Sequence, residues 1–356
     1  MSKVRNHQMK HLIIKCYREL FVSILLITVY SILVVLAGLS LSSLLNSVAS
    51  GDFKEFISVL LVVITLWLGM VVIGYLRSLA NHKTIYSLNV EAKKIIINSI
   101  VHKDYQFYKD EKSGTYVSWL TNDSKMIEEN VFETLLDLYE SSITVILTFV
   151  SLFSLHPIIA MSSVTFLVIM ILVPSLLQNA ITEKTNILSA KQEEYSNAVL
   201  DLLNGFCEFL NMNKQILLQT KLNKSSYKIE KEKKKFNNFI SLTNLLLMFS
   251  NVLAQFGLIA ISSVLAIMEF AQFGSILAVG NLAGTFYNSS ANCVQLLMQY
   301  KGNLSLLNKY DYDCKAPNSI EDINIDTLDI KDLTFGYNEN VDVLRDFNLH
   351  VKKGIK

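Results

Sequence analysis

Six apolar runs divide this chain, at about 20–45, 56–76, 138–155, 158–177, 242–268 and 273–298. Each is close to the roughly 20 residues that a helix needs to cross a hydrocarbon core of about 30 Å. The pattern predicts an all-α membrane fold with six transmembrane helices. The sixth run differs from the others because Asn and Ser interrupt it. Short external connections are expected around 47–55 (about ten residues), at the His156-Pro157 turn and at 269–272, whereas each internal connection has about 60 residues, too many for an unstructured loop in a compact protein.

Periodicity turns those internal stretches into helix. Ile85, Leu88, Ala92, Ile95 and Ser99 keep a 3-4-3-4 spacing after the second run, and Ile127, Val131, Leu135 and Leu138 keep 4-4-3 before the third. Each span is therefore expected to continue as an intracellular helical extension, about 25 residues at 1.5 Å each, or roughly 35–40 Å beyond the bilayer. Lys112–Thr115 is expected as the turn between them. The second insertion repeats the design. Tyr195, Val199 and Leu202 lead down, Asn204-Gly205 signals a turn, and Ile216, Leu222, Ile229, Phe236 and Phe239 lead back. Pro157 suits the first turn of the fourth span, and Pro174 is expected to kink it.

Composition agrees with a membrane protein: 51% of the 356 residues are hydrophobic, 18% are charged, and the mean hydropathy is +0.36. With six spans, 31 of the 32 Lys and Arg fall on one side, in 1–19, 77–137, 178–241 and 299–356, and only Lys54 falls on the other. By the positive-inside rule this predicts a multi-pass protein of the cytoplasmic membrane with both termini cytoplasmic. The first run, at about 25 residues, is too long for the h-region of an ordinary secretion signal. Cys16, Cys207, Cys293 and Cys314 lie far apart without a CxxC spacing, so neither a disulfide framework nor a metal site is expected. Lys221, Lys224, Lys228, Lys231 and Lys235 form a basic stripe. It reads as a solvated face near membrane lipid headgroups, and no nucleic acid partner is expected.

The sixth run carries Asn281, Thr285, Asn288, Asn292, Gln295 and Gln299 at spacings of 4, 3, 4, 3 and 4, on one helical face, and the fifth carries a thinner set, Asn244, Asn251, Gln255 and Ser262. An amide in hydrocarbon is costly without a partner or water, so both faces should point into the bundle. Either interhelical hydrogen bonds or a water-filled pathway accounts for them, and Phe286 and Tyr287 would add aromatic lining to the pathway. Glu140 is the only charge within the spans.

Beyond a polar, acidic linker at 305–327, short alternating strands begin at 328, with 328–333 and 347–351 the clearest. Leu328-Asp329-Ile330-Lys331-Asp332-Leu333-Thr334-Phe335-Gly336-Tyr337, with Val343-Leu344-Arg345-Asp346-Phe347 and Lys353-Gly354, resembles the opening of an ABC-transporter nucleotide-binding domain. Phe107-Tyr108 and Ser113-Gly114 between the second and third spans resemble the first intracellular loop of type-I ABC exporters. Together with the six spans and the two long internal insertions, the resemblance covers nearly the whole chain.

The resemblance implies a domain order of 1–19 as a cytoplasmic segment, 20–304 as an exporter transmembrane domain, 305–327 as a linker and 328–356 as a truncated β start of an ABC ATPase domain. It implies that Tyr337 stacks on adenine, against a reading as ordinary strand packing. Lys112, Ser113, Gly114, Thr115 and Tyr116 match the first coupling helix, and Asn204, Gly205 and Phe206 resemble the second; plain turns are the alternative. The implied partners are a second half-transporter, in a homo- or heterodimer, and a nucleotide-binding domain. ATP and Mg belong to the intact transporter. No Gly-x-x-x-x-Gly-Lys-Ser/Thr loop is present, so this chain alone is expected neither to bind nor to hydrolyse ATP. The implied activity is ATP-driven export of an amphipathic cargo, such as a peptide, lipid or drug-like molecule, by alternating access. Importers built on the same fold, and a truncated, non-transporting regulatory or immunity subunit paired with an intact half-transporter, remain the rival readings.

Overall fold

The computed structural model describes residues 12–101, 113–307, 327–336 and 342–353. Six long helices dominate them: α1 Tyr17–Ser50, α2 Phe53–Val101, α3 Gly114–Leu155, α4 Pro157–Asn204, then a short α5 Phe206–Asn211, α6 Gln215–Ile267 and α7 Ser275–Leu307. Two strands follow, β1 Thr327–Phe335 and β2 Leu344–Lys352. Among the described residues, α1, α2, α3 and α6 are long and apolar enough to cross a membrane, and α4 contributes a shorter apolar stretch, Pro157–Leu172. The amides of α7 dilute its apolar content. The chain divides into two compact units, Met1–Lys93 with Thr121–Lys309, and Lys94–Leu120 with Tyr310–Lys356.

The helix ends follow from local chemistry. Gly51 takes a left-handed φ of 71° and its N–H donates to the Val48 carbonyl, closing α1. Asp52 then accepts from the N–H groups of Lys54 and Glu55 at 2.9 and 3.3 Å, opening α2. The connection expected at about ten residues thus shrinks to Gly51-Asp52, because capping lets both helices run to the turn. At the next turn His156 is extended and its Nδ1 accepts from the Ile158 N–H at 3.2 Å, with Pro157 in the first helical turn. The helix runs on through position 174 to Asn204.

The core of the first unit gathers Val35 of α1, Leu152 of α3, Ile159 and Ala160 of α4, Leu258 of α6, and Val279, Leu282 and Phe286 of α7. Tyr287 is completely buried there and its hydroxyl donates to the Ser163 carbonyl at 3.3 Å. Phe286 packs edge-on to Tyr287. These two aromatics are therefore core residues and not the pathway lining expected from sequence, since they sit on the face of α7 opposite its amides. Small hydroxyls join the helices where a larger side chain would separate them. Ser23 of α1 meets Thr84 of α2 at 2.8 Å, Thr144 of α3 donates to Ser31 of α1 at 3.0 Å, and Ser142 of α3 meets Cys293 of α7 at 3.1 Å.

The extensions are helical, with shifted faces. On α2 the buried series is Ile85, Leu88, Ala92, Ile96 and Ser99, so Ile96 takes the place expected for Ile95. On α3 two π-helical turns, Trp119–Asp123 and Glu128–Glu133, interrupt the α pattern. They insert an extra residue into the period, and the buried series becomes Ile127, Val131, Phe132 and Leu136, leaving Leu135 half-buried. On α6 Leu218 and Ile229 are buried, whereas Ile216 is 80% exposed. Tyr195 of α4 meets Ser226 of α6 through their hydroxyls at 3.1 Å.

In the second unit β1 and β2 pair antiparallel, from Thr327 opposite Lys352 to Phe335 opposite Leu344. The register shifts near Asp332 and Asp346, both at positive φ. Both strands extend past their expected ends. Most of the expected linker lies outside the described residues, and Ser305 still belongs to α7.

Candidate functional site

In the first unit, α1, α2, α3 and α7 enclose a polar cleft of about 520 Å³. Its centre is an ion pair between Arg77 of α2 and Glu140 of α3. The Arg77 guanidinium also lies 4.2 Å from the centre of the Tyr30 ring of α1, a cation–π contact that holds it in place. Its Nε is buried without an acceptor among the described residues. Both ionic side chains are about three-quarters buried, so each needs the other. Asp137 lies one turn earlier on α3 and lines the same cleft with Ser141 and Thr144.

Burial pushes the Asp137 carboxyl above its usual range, against the opposing pull of Arg77. Burial likewise raises Glu133, with Glu128, Asp137 and Glu129 adding like-charge repulsion. Helix α7 completes the wall with Thr285, Ser289, Asn292 and Gln295.

The amide stripe expected on α7 is thus divided among several surroundings. Thr285, Asn292 and Gln295 reach the cleft. Asn288 instead accepts from the Asn251 side chain of α6 at 2.8 Å, and Asn251 accepts from Gln255 at 2.7 Å, so these three form an interhelical amide chain. Gln255 lies beside Gly284 of α7. Asn281 lies against Gly38 of α1, Gln299 donates to Asn130 of α3 at 3.0 Å, and Asn244 is exposed on α6.

The residues expected to couple lie in two further segments. Ser113, Gly114, Thr115 and Tyr116 lie in the opening helical turns Ser113–Ser118, and not in a turn as expected. Tyr116 is buried, edge-on to Trp119 at 5.3 Å. Lys112 lies outside the described residues, as does Tyr337. Asn204 ends α4, Gly205 forms the bend, and Phe206 begins the six-residue α5 before α6 returns. The five lysines of the basic stripe are exposed. Lys235 pairs with Glu232 at 2.7 Å, and Lys221 lies 5.8 Å from the Phe209 ring centre.

Arg77, Tyr30 and Asp137 were missed as site residues. One signal for them was available: Arg77 follows the second apolar run directly and Glu140 opens the third. Antiparallel neighbouring helices bring those two positions to one depth.

No curated protein matches the sequence. A family model described as the ABC transporter transmembrane region matches residues 20–290, well over half of the chain. With its long helices, apolar candidate spans and α7 packed at the centre, this chain belongs to the ABC transporter transmembrane region family.

Proposed function

We propose that this chain is the transmembrane half of an ATP-driven ABC exporter, which moves an amphipathic cargo across the cytoplasmic membrane by alternating access. In this reading all six long helices span the bilayer, both termini are cytoplasmic, and a second half-transporter closes the polar face of α7. The observation that carries it is the cleft in which Thr285, Asn292 and Gln295 meet the Arg77–Glu140 pair. A polar cleft among apolar helices needs water or a ligand in a membrane.

Each part of the chain has a role in that cycle. Asn251, Gln255 and Asn288 hold α6 to α7, so the two move together. Gly114–Tyr116 and Asn204–Phe206 are the tips that engage a nucleotide-binding domain. The residues present do not fit ATP, because no phosphate-cradling loop occurs in the sequence. No nucleotide step is therefore assigned to them, and energy enters from the nucleotide-binding domain that these tips engage.

The test uses transport in inside-out vesicles that contain the chain together with its nucleotide-binding domain. Gly114→Trp or Thr115→Trp should preserve ATP hydrolysis and abolish uptake, and Asn292→Leu with Gln295→Leu should lower uptake about tenfold. Unchanged uptake in all of these variants would remove the proposal.

A further inference from the structure

On the outer side of α1, away from the polar cleft, α1 and α3 part to leave an apolar groove of about 690 Å³. Leu20, Phe21 and Leu136 form its walls, and Tyr17 and Arg18 stand at its mouth. Tyr139 lines it too and is tied to Thr28 of α1 by a hydroxyl bond of 2.9 Å, which fixes the two helices at this distance. Tyr17 and Phe21 are 58% and 65% exposed. Large apolar side chains in this setting face acyl chains and not water.

Charge singles out the mouth. Arg18 donates through Nε to the Tyr17 hydroxyl at 3.0 Å and lies 5.8 Å from that ring's centre. This anchors the guanidinium through Nε, and no hydrogen bond among the described residues engages its two Nη groups. Its neighbour Lys15 is held by Glu91 at 2.9 Å, whereas Arg18 has no carboxylate partner among the described residues. Arg18 precedes the first apolar run, and Tyr139 lies at the start of the third. The groove therefore crosses one membrane interface, on the side that carries nearly all the basic residues. From Arg18 to Ile24, six residues at 1.5 Å give about 9 Å of depth, over half of one leaflet's hydrocarbon.

We propose that this groove holds one anionic phospholipid of the cytoplasmic leaflet, with its phosphate on Arg18 and an acyl chain along Leu20, Phe21 and Leu136. A guanidinium offers paired donors to phosphate oxygens, and an apolar wall directly below it matches a phospholipid and not a free anion. The inference rests on the orientation proposed above.

In a Phe21→Trp variant with Trp67 and Trp119 replaced by Phe, dibrominated phosphatidylglycerol should quench fluorescence about fivefold more effectively than dibrominated phosphatidylcholine at equal mole fraction. Adding Arg18→Gln should bring the two lipids to parity without changing quenching by phosphatidylcholine. Parity in the Arg18 protein, a preference that survives Arg18→Gln, or no quenching by either lipid would overturn the assignment; the last outcome means that another segment covers the groove. Native mass spectrometry of the otherwise unmodified chain from mixed-lipid nanodiscs checks the same point, with one more phosphatidylglycerol retained than by Arg18→Gln. Ser2→Cys in a chain whose four native cysteines are serine, labelled from each face separately, reports orientation, so a wrong side is distinguished from an empty groove.

Discussion

Gly274 sits where no other residue fits. A Cβ there would lie 2.0 Å from the Ser42 carbonyl oxygen of α1, and the Gly274 N–H donates to Asn46 at 2.7 Å. Because the obstruction is backbone and not a movable side-chain end, Gly274→Ala must push α7 from α1. Overpacking of this kind costs about 1–3 kcal/mol, measurable as a lowered midpoint of thermal unfolding in detergent. Asp137 has the opposite character: the residue is exposed overall, yet partial loss of hydration at the cleft wall disfavours its charged form. Its folded pKa is raised above 3.8, so the stability it contributes is complete below that value and is lost as pH rises through the folded pKa. Asp137→Asn should therefore stabilise the protein at neutral pH and flatten the fall in melting temperature that the parent shows above pH 3.8.

At the scale of the helices, hydrogen bonds and ion pairs set which faces meet. Arg77→Gln leaves Glu140 as an unpaired, largely buried charge and should cost about 3 kcal/mol, whereas Arg77→Gln with Glu140→Gln should cost less than either change alone. A double-mutant cycle on unfolding free energies checks this. Asn288→Leu removes the acceptor for Asn251 and should cost about 1 kcal/mol. Helix α3 shows why element faces resist reading from periodicity. The 4-4 spacing of Ile127, Val131 and Leu135 fits an α-helix tolerably, but the π turn at Glu128–Glu133 rotates the next residue inward and buries Leu136. Nothing local in the sequence announces the extra residue. On α6 the returning helix expected from Ile216 onward is present, but periodicity did not show that Ile216 itself is 80% exposed while Leu218 is buried.

Across the whole molecule the cleft and the core lie on opposite faces of α7. This predicts a simple contrast in a variant with every cysteine replaced by serine. Asn292→Cys and Gln295→Cys should react with a water-soluble maleimide at least tenfold faster than Phe286→Cys, which replaces a side chain only 2% exposed. Equal rates at the three positions would mean that the cleft is closed to water. In its most apolar window α2 is only 6% buried, so lipid or a second subunit covers most of that helix.

Much of this plan was legible in the chain because hydrocarbon enforces it. Runs of about 20 apolar residues must be helices there, which is why the long helices, their extensions, the cap at His156-Pro157 and the polar face of α7 all appear as patterns of residue type. The strand pair beyond Thr327 was likewise visible in its alternation. Partnership is a different kind of information. Whether an amide meets another amide, as Asn251 does, or a cleft, as Asn292 does, depends on which helix stands opposite and at what height. The same holds for Arg77 and Glu140, 63 positions apart: their charges are written in the sequence, but only the packing of α2 against α3 brings them together, because a pairwise energy exists only once the two groups share a place.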